Sequence, residues 1–424
     1  MKETKYKQTE VGLIPSDWEV FTFGDIVNYT KGFAFKSKDY RKDGIRIIRV
    51  SDTTYDNIKK ENGIYVDEND ATDYKNWRLD QNDLIFTTVG SKPPMYDSMV
   101  GKVIMVSKEF EGSLLNQNAV LIRAKKRTEE LQALLLSHFR TKRYLQHIEL
   151  IYRGNANQAS ITLKELFEFK IPLPKNEIEQ TAIATALSDA DALISSLSTL
   201  IAKKRMIKQG AMQQLLQPKE GWEVKKLGEV GECHRGVSYN PERDLHQHDK
   251  DITIRLLRSN NVQNQNIELN GLQFVDQEKV KLNQILQDND IVICMANGSK
   301  QLVGKAAIYR KKDNLKYTFG AFMGCFRTNV DLASSSYIAF NFQSFQYRNY
   351  IDVLLSGSSI NNLNPGNIES IEIPFPSPEE QTRIATILSD MDEEIAALEI
   401  KLEKYRKVKL AMMQNLLTGK IRLV

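Results

Sequence analysis

"IPLPKNEIEQTAIATALSDAD" (Ile171–Asp191) returns near the far end of the chain as "IPFPSPEEQTRIATILSDMD" (Ile373–Asp392). From Glu179 to Asp191, ten of thirteen positions are identical in the second copy. The match continues outward. "SDWEVFTFGDI" (Ser16–Ile26) answers to "EGWEVKKLGEV" (Glu220–Val230), and "KGFAF" (Lys31–Phe35) to "RGVSY" (Arg235–Tyr239). "IRIIRVSD" (Ile45–Asp52) answers to "IRLLRSNN" (Ile254–Asn261), "QNDLIF" (Gln81–Phe86) to "DNDIVI" (Asp288–Ile293), and "VGKVI" (Val100–Ile104) to "VGKAA" (Val303–Ala307). The offset stays between 201 and 209, so one unit of about 200 residues is used twice. That period excludes a short-repeat solenoid.

The well-matched end of each unit reads as a long helix. Ser377 is a good N-cap, Pro378 suits the first helical position, and Glu380 completes a capping box; Asn176 and Glu179 hold the matching places in copy one. Apolar residues then step by four and three: Ile183, Leu187, Ala190, Ile194, Leu197 and Ile201. In copy two they are Ile384, Leu388, Met391, Ile395, Leu398, Leu402 and Tyr405. This is a heptad seam, and a seam so narrow must be buried against another helix. The matching seam is its own copy, so the two helices are expected to pair. Pro218 and Gly419 end them, giving about 40 residues and roughly 60 Å each. Gly210 is a soft point, costing on the order of 1 kcal/mol in a helix interior.

The remainder of each unit is different in kind. "IRIIRV", "DLIFTTV", "KVIMV" and "AVLIRA" are short β-rich runs between turn signals, and copy two offers "TIRLLRS", "DIVICMA", "KAAIY" and "GAFMGCFR". A helical stretch follows in each. The fold class is therefore α/β: two mixed α+β domains with irregular, twisted sheets, and two long α-helices, in an internal two-fold repeat. The domains are expected at 1–170 and 220–372, with helices at 171–219 and 373–424.

At 424 residues, 41% hydrophobic and 26% charged, the chain reads as a soluble globular protein of several domains. Its net charge is only +4, but 58 Lys and Arg make local basic surfaces easy to build. Cys233, Cys294 and Cys325 are scattered, which speaks against a disulfide framework or structural zinc and fits a cytoplasmic location. No apolar run reaches 18 residues, so no membrane span is expected.

No catalytic engine is visible. Gly298 to Gly304-Lys305 has one residue too many for a phosphate-binding loop, and Ala306 stands where Ser or Thr must hold magnesium. "KPPMY" (Lys92–Tyr96) faintly resembles the Pro-Pro-aromatic loop of amino-methyltransferases, but Lys92 cannot accept the amine's hydrogen bond. "HQHDKD" (His246–Asp251) lacks a third metal ligand.

A variable domain, then "IPLPxxxEQxxIAxxLSxxD" and a long helix ending in "QxLL", all repeated, resembles the specificity subunit of type I restriction–modification systems. The residues that carry the resemblance are Ile171–Pro174, Glu179–Gln180 and Leu187–Asp191. Their copies are Ile373–Pro376, Glu380–Gln381 and Leu388–Asp392, and "QQLLQ" (Gln213–Gln217) and "QNLLTGKIRLV" (Gln414–Val424) follow. The resemblance implies two target recognition domains on double-stranded DNA and two helices packed antiparallel as a spacer. It implies two modification (methyltransferase) subunits as partners and, in the full enzyme, two restriction–translocation subunits. S-adenosylmethionine would bind the modification subunit, with no cofactor in this chain. Two unlike reading heads imply an asymmetric, bipartite target, read in major grooves about one turn (~34 Å) apart. A free-standing DNA-binding protein, the recognition part of a fused enzyme, and a coiled-coil scaffold are the competing readings.

Candidate DNA contacts are loops whose place recurs while their content varies. Thr88, Gly90, Ser91 and Lys92 stand against Asn297, Gly298, Ser299 and Lys300. Tyr152, Arg153, Asn155, Asn157 and Gln158 stand against Ser358, Ser359, Asn361 and Asn362. Gly admits a phosphate, Lys supplies charge, and Asn or Gln can pair with adenine. Lys31 and Arg235, each before a Gly, suit phosphate.

Overall fold

A computed structural model of the chain describes residues 5–69, 73–155, 158–356 and 361–423. The chain divides into two compact units, residues 1–198 with 401–424, and residues 199–400. Each unit is thus built from a globular domain, the start of the long helix that follows it, and the end of the other long helix.

In the first unit, strand Trp18–Thr22 pairs antiparallel with Lys170–Pro174, from Trp18↔Pro174 to Thr22↔Lys170. In the second, Glu223–Lys226 pairs with Glu372–Phe375. This explains the placing of the sequence repeat: "WEV" and "IPLP" lie in paired strands that flank the rest of the domain, and they recur together because they zip it shut. In the first unit a hairpin, Tyr6–Thr9 with Gly12–Pro15, precedes them. Inside this clasp lies an antiparallel sheet in the order 27–31, 119–124, 84–87, 103–105; its counterpart runs 231–235, 323–328, 291–294, 306–308. The β-rich runs of the sequence account for three strands of each sheet; the edge strands 27–31 and 231–235 lie outside those runs, and "IRIIRV" and "TIRLLRS" supply strands of separate sheets. The expected helical stretch is two helices in each unit, Glu129–Phe139 and Lys142–Ile151, then Ser335–Asn341 and Phe345–Ser356.

Several repeated residues hold this framework. Arg123 forks onto Asp83, which is 3% exposed, and Arg327 onto Asp290 at 2%. The Tyr144 hydroxyl donates to the Gly101 carbonyl at 2.7 Å, and Tyr347 to Gly304 at 2.7 Å. Both glycines adopt positive φ, and a Cβ there would press on Ile148 or Ile351, which is why "VGK" repeats.

The long helices span Glu177–Leu215 and Pro378–Leu416, 39 residues each. In the first unit Ile183 and Leu187 share a core with Met413, Leu416 and Leu417. In the second, Ile384 and Leu388 meet Met212 and Leu216. The start of one helix lies against the end of the other, so the pairing is antiparallel. Leu197, Ile201, Ile395 and Leu402 are also buried, while Ala190, Ile194, Met391, Leu398 and Tyr405 are half-buried. One heptad beyond Ile201 the seam turns polar. Lys208, 7% exposed, donates to Asp392 at 2.6 Å, and its copy Lys409 pairs with Asp191. Gly210 does not interrupt the helix.

The helix starts differ from the expected capping boxes. Ser377 accepts from the Glu380 amide at 3.4 Å, but the Glu380 carboxylate turns to Arg383 instead of back to the cap. Asn176 caps through the Ile178 amide. Glu179 is fully buried, accepts from the Trp18 indole at 3.2 Å and holds Arg422, which also reaches Asp17 at 2.8 Å. A burial this complete requires such partners. They come from both ends of the chain, which no local pattern could announce.

Candidate nucleic-acid interface

In the first unit the sheet brings the candidate loops to one end. Lys31, exposed at the end of its strand, lies opposite Val120, which lies opposite Phe86. Thr88 donates from its amide and hydroxyl to the Asn118 carbonyl, both at 3.0 Å. Strand Val89–Gly90 then pairs with hairpin Arg153–Asn155/Gln158–Ser160, through Gly90↔Ala159 and Val89↔Ser160. The two loops chosen from sequence therefore form one surface. Its groups are not equal. Lys92, Asn155 and Gln158 are exposed, and Tyr152 is half-buried. Arg153 pairs with Glu165 at 2.6 Å. Ser91 is buried and bonded to Ser98, 2.9 Å between hydroxyl oxygens. A Cβ on Gly90 would sit 2.3 Å from the Ser98 carbonyl oxygen, so this glycine serves the turn's own packing. Asn157 lies outside the described residues.

A third loop joins them, and the sequence reading missed it. Residues 53–58 dock on 91–98: the Tyr55 amide donates to the Asp97 carboxylate at 2.9 Å, and the Tyr55 and Tyr96 rings meet edge-on at 5.1 Å. The Arg140 guanidinium lies 3.9 Å from the Tyr55 ring centre. Lys102 secures the junction, donating to the Thr53 carbonyl at 2.7 Å and to that of Asp97. It is 1% exposed, and burial pulls its ammonium down to about 8. Met95 and Tyr96 remain about half exposed. The one available signal was Lys102 itself, the charged residue of a repeated "VGK" beside apolar strands.

The second unit gathers the equivalent loops through other bonds among the described residues. Arg235 is exposed at its strand end, opposite Gly324, which is opposite Ile293. Among the described residues the loops are joined by the bridge Ala296↔Asn362. The Asn297 carboxamide donates to the Ser259 hydroxyl at 3.4 Å and accepts from the Ser299 amide at 3.1 Å. Asn361 donates to the Gly298 carbonyl at 3.2 Å, and Lys300 to the Leu355 carbonyl at 3.1 Å. A Cβ on Gly298 would meet nothing within 4 Å, so its backbone is open to a large ligand. Ser358 and Ser359 lie outside the described residues. In "HQHDKD", His246 bonds Asp276 at 2.7 Å through one ring nitrogen and Lys250 at 3.2 Å through the other.

Exposed amide, hydroxyl and ammonium groups thus collect at the sheet end of each unit, in the first beside the rings of Tyr55 and Tyr96. Such a surface can contact phosphates and base edges. Two stretches, residues 15–203 and 219–404, match the profile of the type I restriction modification DNA specificity domain. The chain belongs to that family. A Methanocaldococcus jannaschii protein assigned as the MjaX specificity subunit of a type I restriction enzyme is 29% identical over 99% of this chain and 97% of its own length. The EcoKI specificity subunit of Escherichia coli is 35% identical over 48% of this chain and 44% of its own. The crystal structure of an S subunit from M. genitalium shares the fold at a TM-score of 0.60 and 15% identity, covering 94% of this chain and 96% of that one. As a specificity subunit with two recognition domains, the protein is the non-catalytic DNA-recognition component of its system. Among the described residues, no helix is long and apolar enough to cross a membrane.

Proposed function

We propose that residues 1–170 and 220–372 each read one half of a bipartite, asymmetric DNA target in the major groove, and that the helical segments 171–219 and 373–424 serve as the spacer. The observation that carries this is the contrast inside each unit: a repeated framework supports, at one sheet end, loops that recur in place and differ in content. Lys31, Lys92 and Arg235 supply phosphate contacts; Asn155, Gln158, Asn297, Asn361 and Asn362 supply base contacts, with Thr88, Tyr152 and Ser299 beside them. Two modification subunits assemble on the chain and bring S-adenosylmethionine; two restriction–translocation subunits complete the enzyme, in the cytoplasm where the DNA is. Exchanging residues 1–170 for those of a relative, followed by methylation sequencing, is the test. One half of the methylated motif changes and the other persists; a change in both halves would refute independent reading. The purified chain alone transfers no methyl group, and gains that activity only with its modification partner.

A further inference from the structure

The two units can be superposed in sequence at a turn that follows the same strand in each. In the first, Arg49 is neutralised. Its Nε and Nη2 fork onto the Asp52 carboxylate at 3.0 and 2.7 Å, and Nη2 also donates to the Asn62 carbonyl at 3.1 Å. The repeat sets Arg258 opposite Arg49 and Asn261 opposite Asp52. The turn itself is kept: the Arg258 amide donates to the Asn261 side-chain oxygen at 2.9 Å, as the Arg49 amide does to Asp52 at 2.9 Å. The fork is not kept. The Asn261 carboxamide has one neutral oxygen in place of a two-oxygen carboxylate, and its nitrogen donates to the carbonyls of Glu268 and Asn270 at 2.8 and 3.0 Å. It carries no charge to match a guanidinium and presents a single oxygen where the fork needs two.

Arg258 is accordingly without an ion pair or side-chain hydrogen bond among the described residues, and its Nε is buried with no acceptor. A guanidinium cannot lose its charge, so this arrangement calls for an acceptor from outside the chain. Its position says which. The next residue, Ser259, accepts from Asn297 of the candidate reading loop at 3.4 Å. The preceding residue, Leu257, accepts from the Gly320 amide at 2.9 Å, and Phe319 accepts from Val237, two residues beyond Arg235. Arg258 therefore stands at the same sheet end as the other candidate contacts of the second unit.

We infer that Arg258 is a DNA-contacting residue of the second recognition domain, with a guanidinium held ready for phosphate or a guanine edge, whereas Arg49 is a framework residue of the first. This rests on the DNA-reading assignment above. The test uses the full chain with its modification partner. Arg258→Ala weakens DNA binding about ten-fold or more with little change in melting temperature, and the defect belongs to the second half-site. Relaxation at one base position marks a guanine contact; uniform weakening with a shallower salt dependence marks a phosphate contact. Asn261→Asp, which imports the carboxylate of the first unit, produces the same loss with Arg258 intact. Arg49→Ala lowers the melting temperature and leaves the first half-site's preference unchanged. Unchanged binding and methylation in Arg258→Ala would overturn the inference, as would a drop of several degrees in its melting temperature. If exchanging residues 220–372 left the wild-type motif unaltered, the DNA-reading assignment itself would fail instead.

Discussion

The two units share a skeleton and part company at their tips. Arg123–Asp83 and Arg327–Asp290 are the same buried fork, and Tyr144–Gly101 and Tyr347–Gly304 the same bond at the same 2.7 Å. At the sheet ends the likeness stops. Gly90 is packed against Ser98 while Gly298 is open, and Arg49 is paired while Arg258 is not. In the skeleton's buried pairs both members repeat, because changing one leaves the other unsatisfied. Loop residues facing solvent carry no such tie and can diverge with the ligand.

The motif "EQ" shows the same divergence within a repeated element. Glu179 is sealed between Trp18 and Arg422, and the Arg422 guanidinium beside Asp17 lowers that carboxyl's pKa. Glu380 lies near the surface with Arg383 and Lys219. Arg422→Ala strands a buried carboxylate and is expected to cost the first unit about 3–5 kcal/mol. Glu380→Ala costs the second about 1 kcal/mol or less. Denaturant unfolding of the full chain measures both, and equal effects would show that the two ends of the chain are not what holds Glu179.

The shared fork should behave alike in both units. Asp83→Ala and Asp290→Ala are each expected to lose about 2–3 kcal/mol, since each removes the buried carboxylate onto which an arginine forks, and the exposed Asp80 left to Arg123 at 3.0 Å offsets little of it. A disparity larger than about 1 kcal/mol, close to the scatter usual for equivalent sites, would break the claim of a common framework.

Acid should separate the units. His138 is buried, and desolvation pulls its imidazole down to about 3. The repeat places Asn341 at that position in the second unit, where it donates to the Tyr337 carbonyl at 3.0 Å. The unfolded chain binds a proton on His138 below its ordinary value of 6.5 and the folded one does not. The contribution is therefore fully present above 6.5 and is lost as pH falls from there toward 3. His138→Asn should flatten the stability of the first unit between pH 6.5 and 5, before most carboxylates titrate. Calorimetry across that range checks it, and an unchanged slope would assign the acid sensitivity elsewhere.

The smallest effect lies in the helices. Gly210 answers to Ala411, and a Cβ on it meets nothing within 4 Å. Gly210→Ala should stabilise the second unit by about 1 kcal/mol. A loss in its place, on thermal melting, would mean that the helix needs its glycine.

By itself the sequence determined the repeat, the long helices and their seam, most of the central strands and the family. These rest on periodicity and on local rules of capping and turns, which act over a few residues and leave a readable pattern. The tertiary structure alone decided the uses of single polar residues. Glu179 read as half of a cap and became the buried anchor of the C-terminal segment, because its partners Trp18 and Arg422 lie 161 and 243 residues away. Ser91 read as a candidate DNA contact and is bonded to Ser98, while Tyr55 went unread and joined the loop of Tyr96. Lys208 read as nothing and fills a seam position against Asp392. A polar side chain's role is fixed by whichever acceptor or donor the folded chain brings within about 3 Å, and that distance is written only in three dimensions.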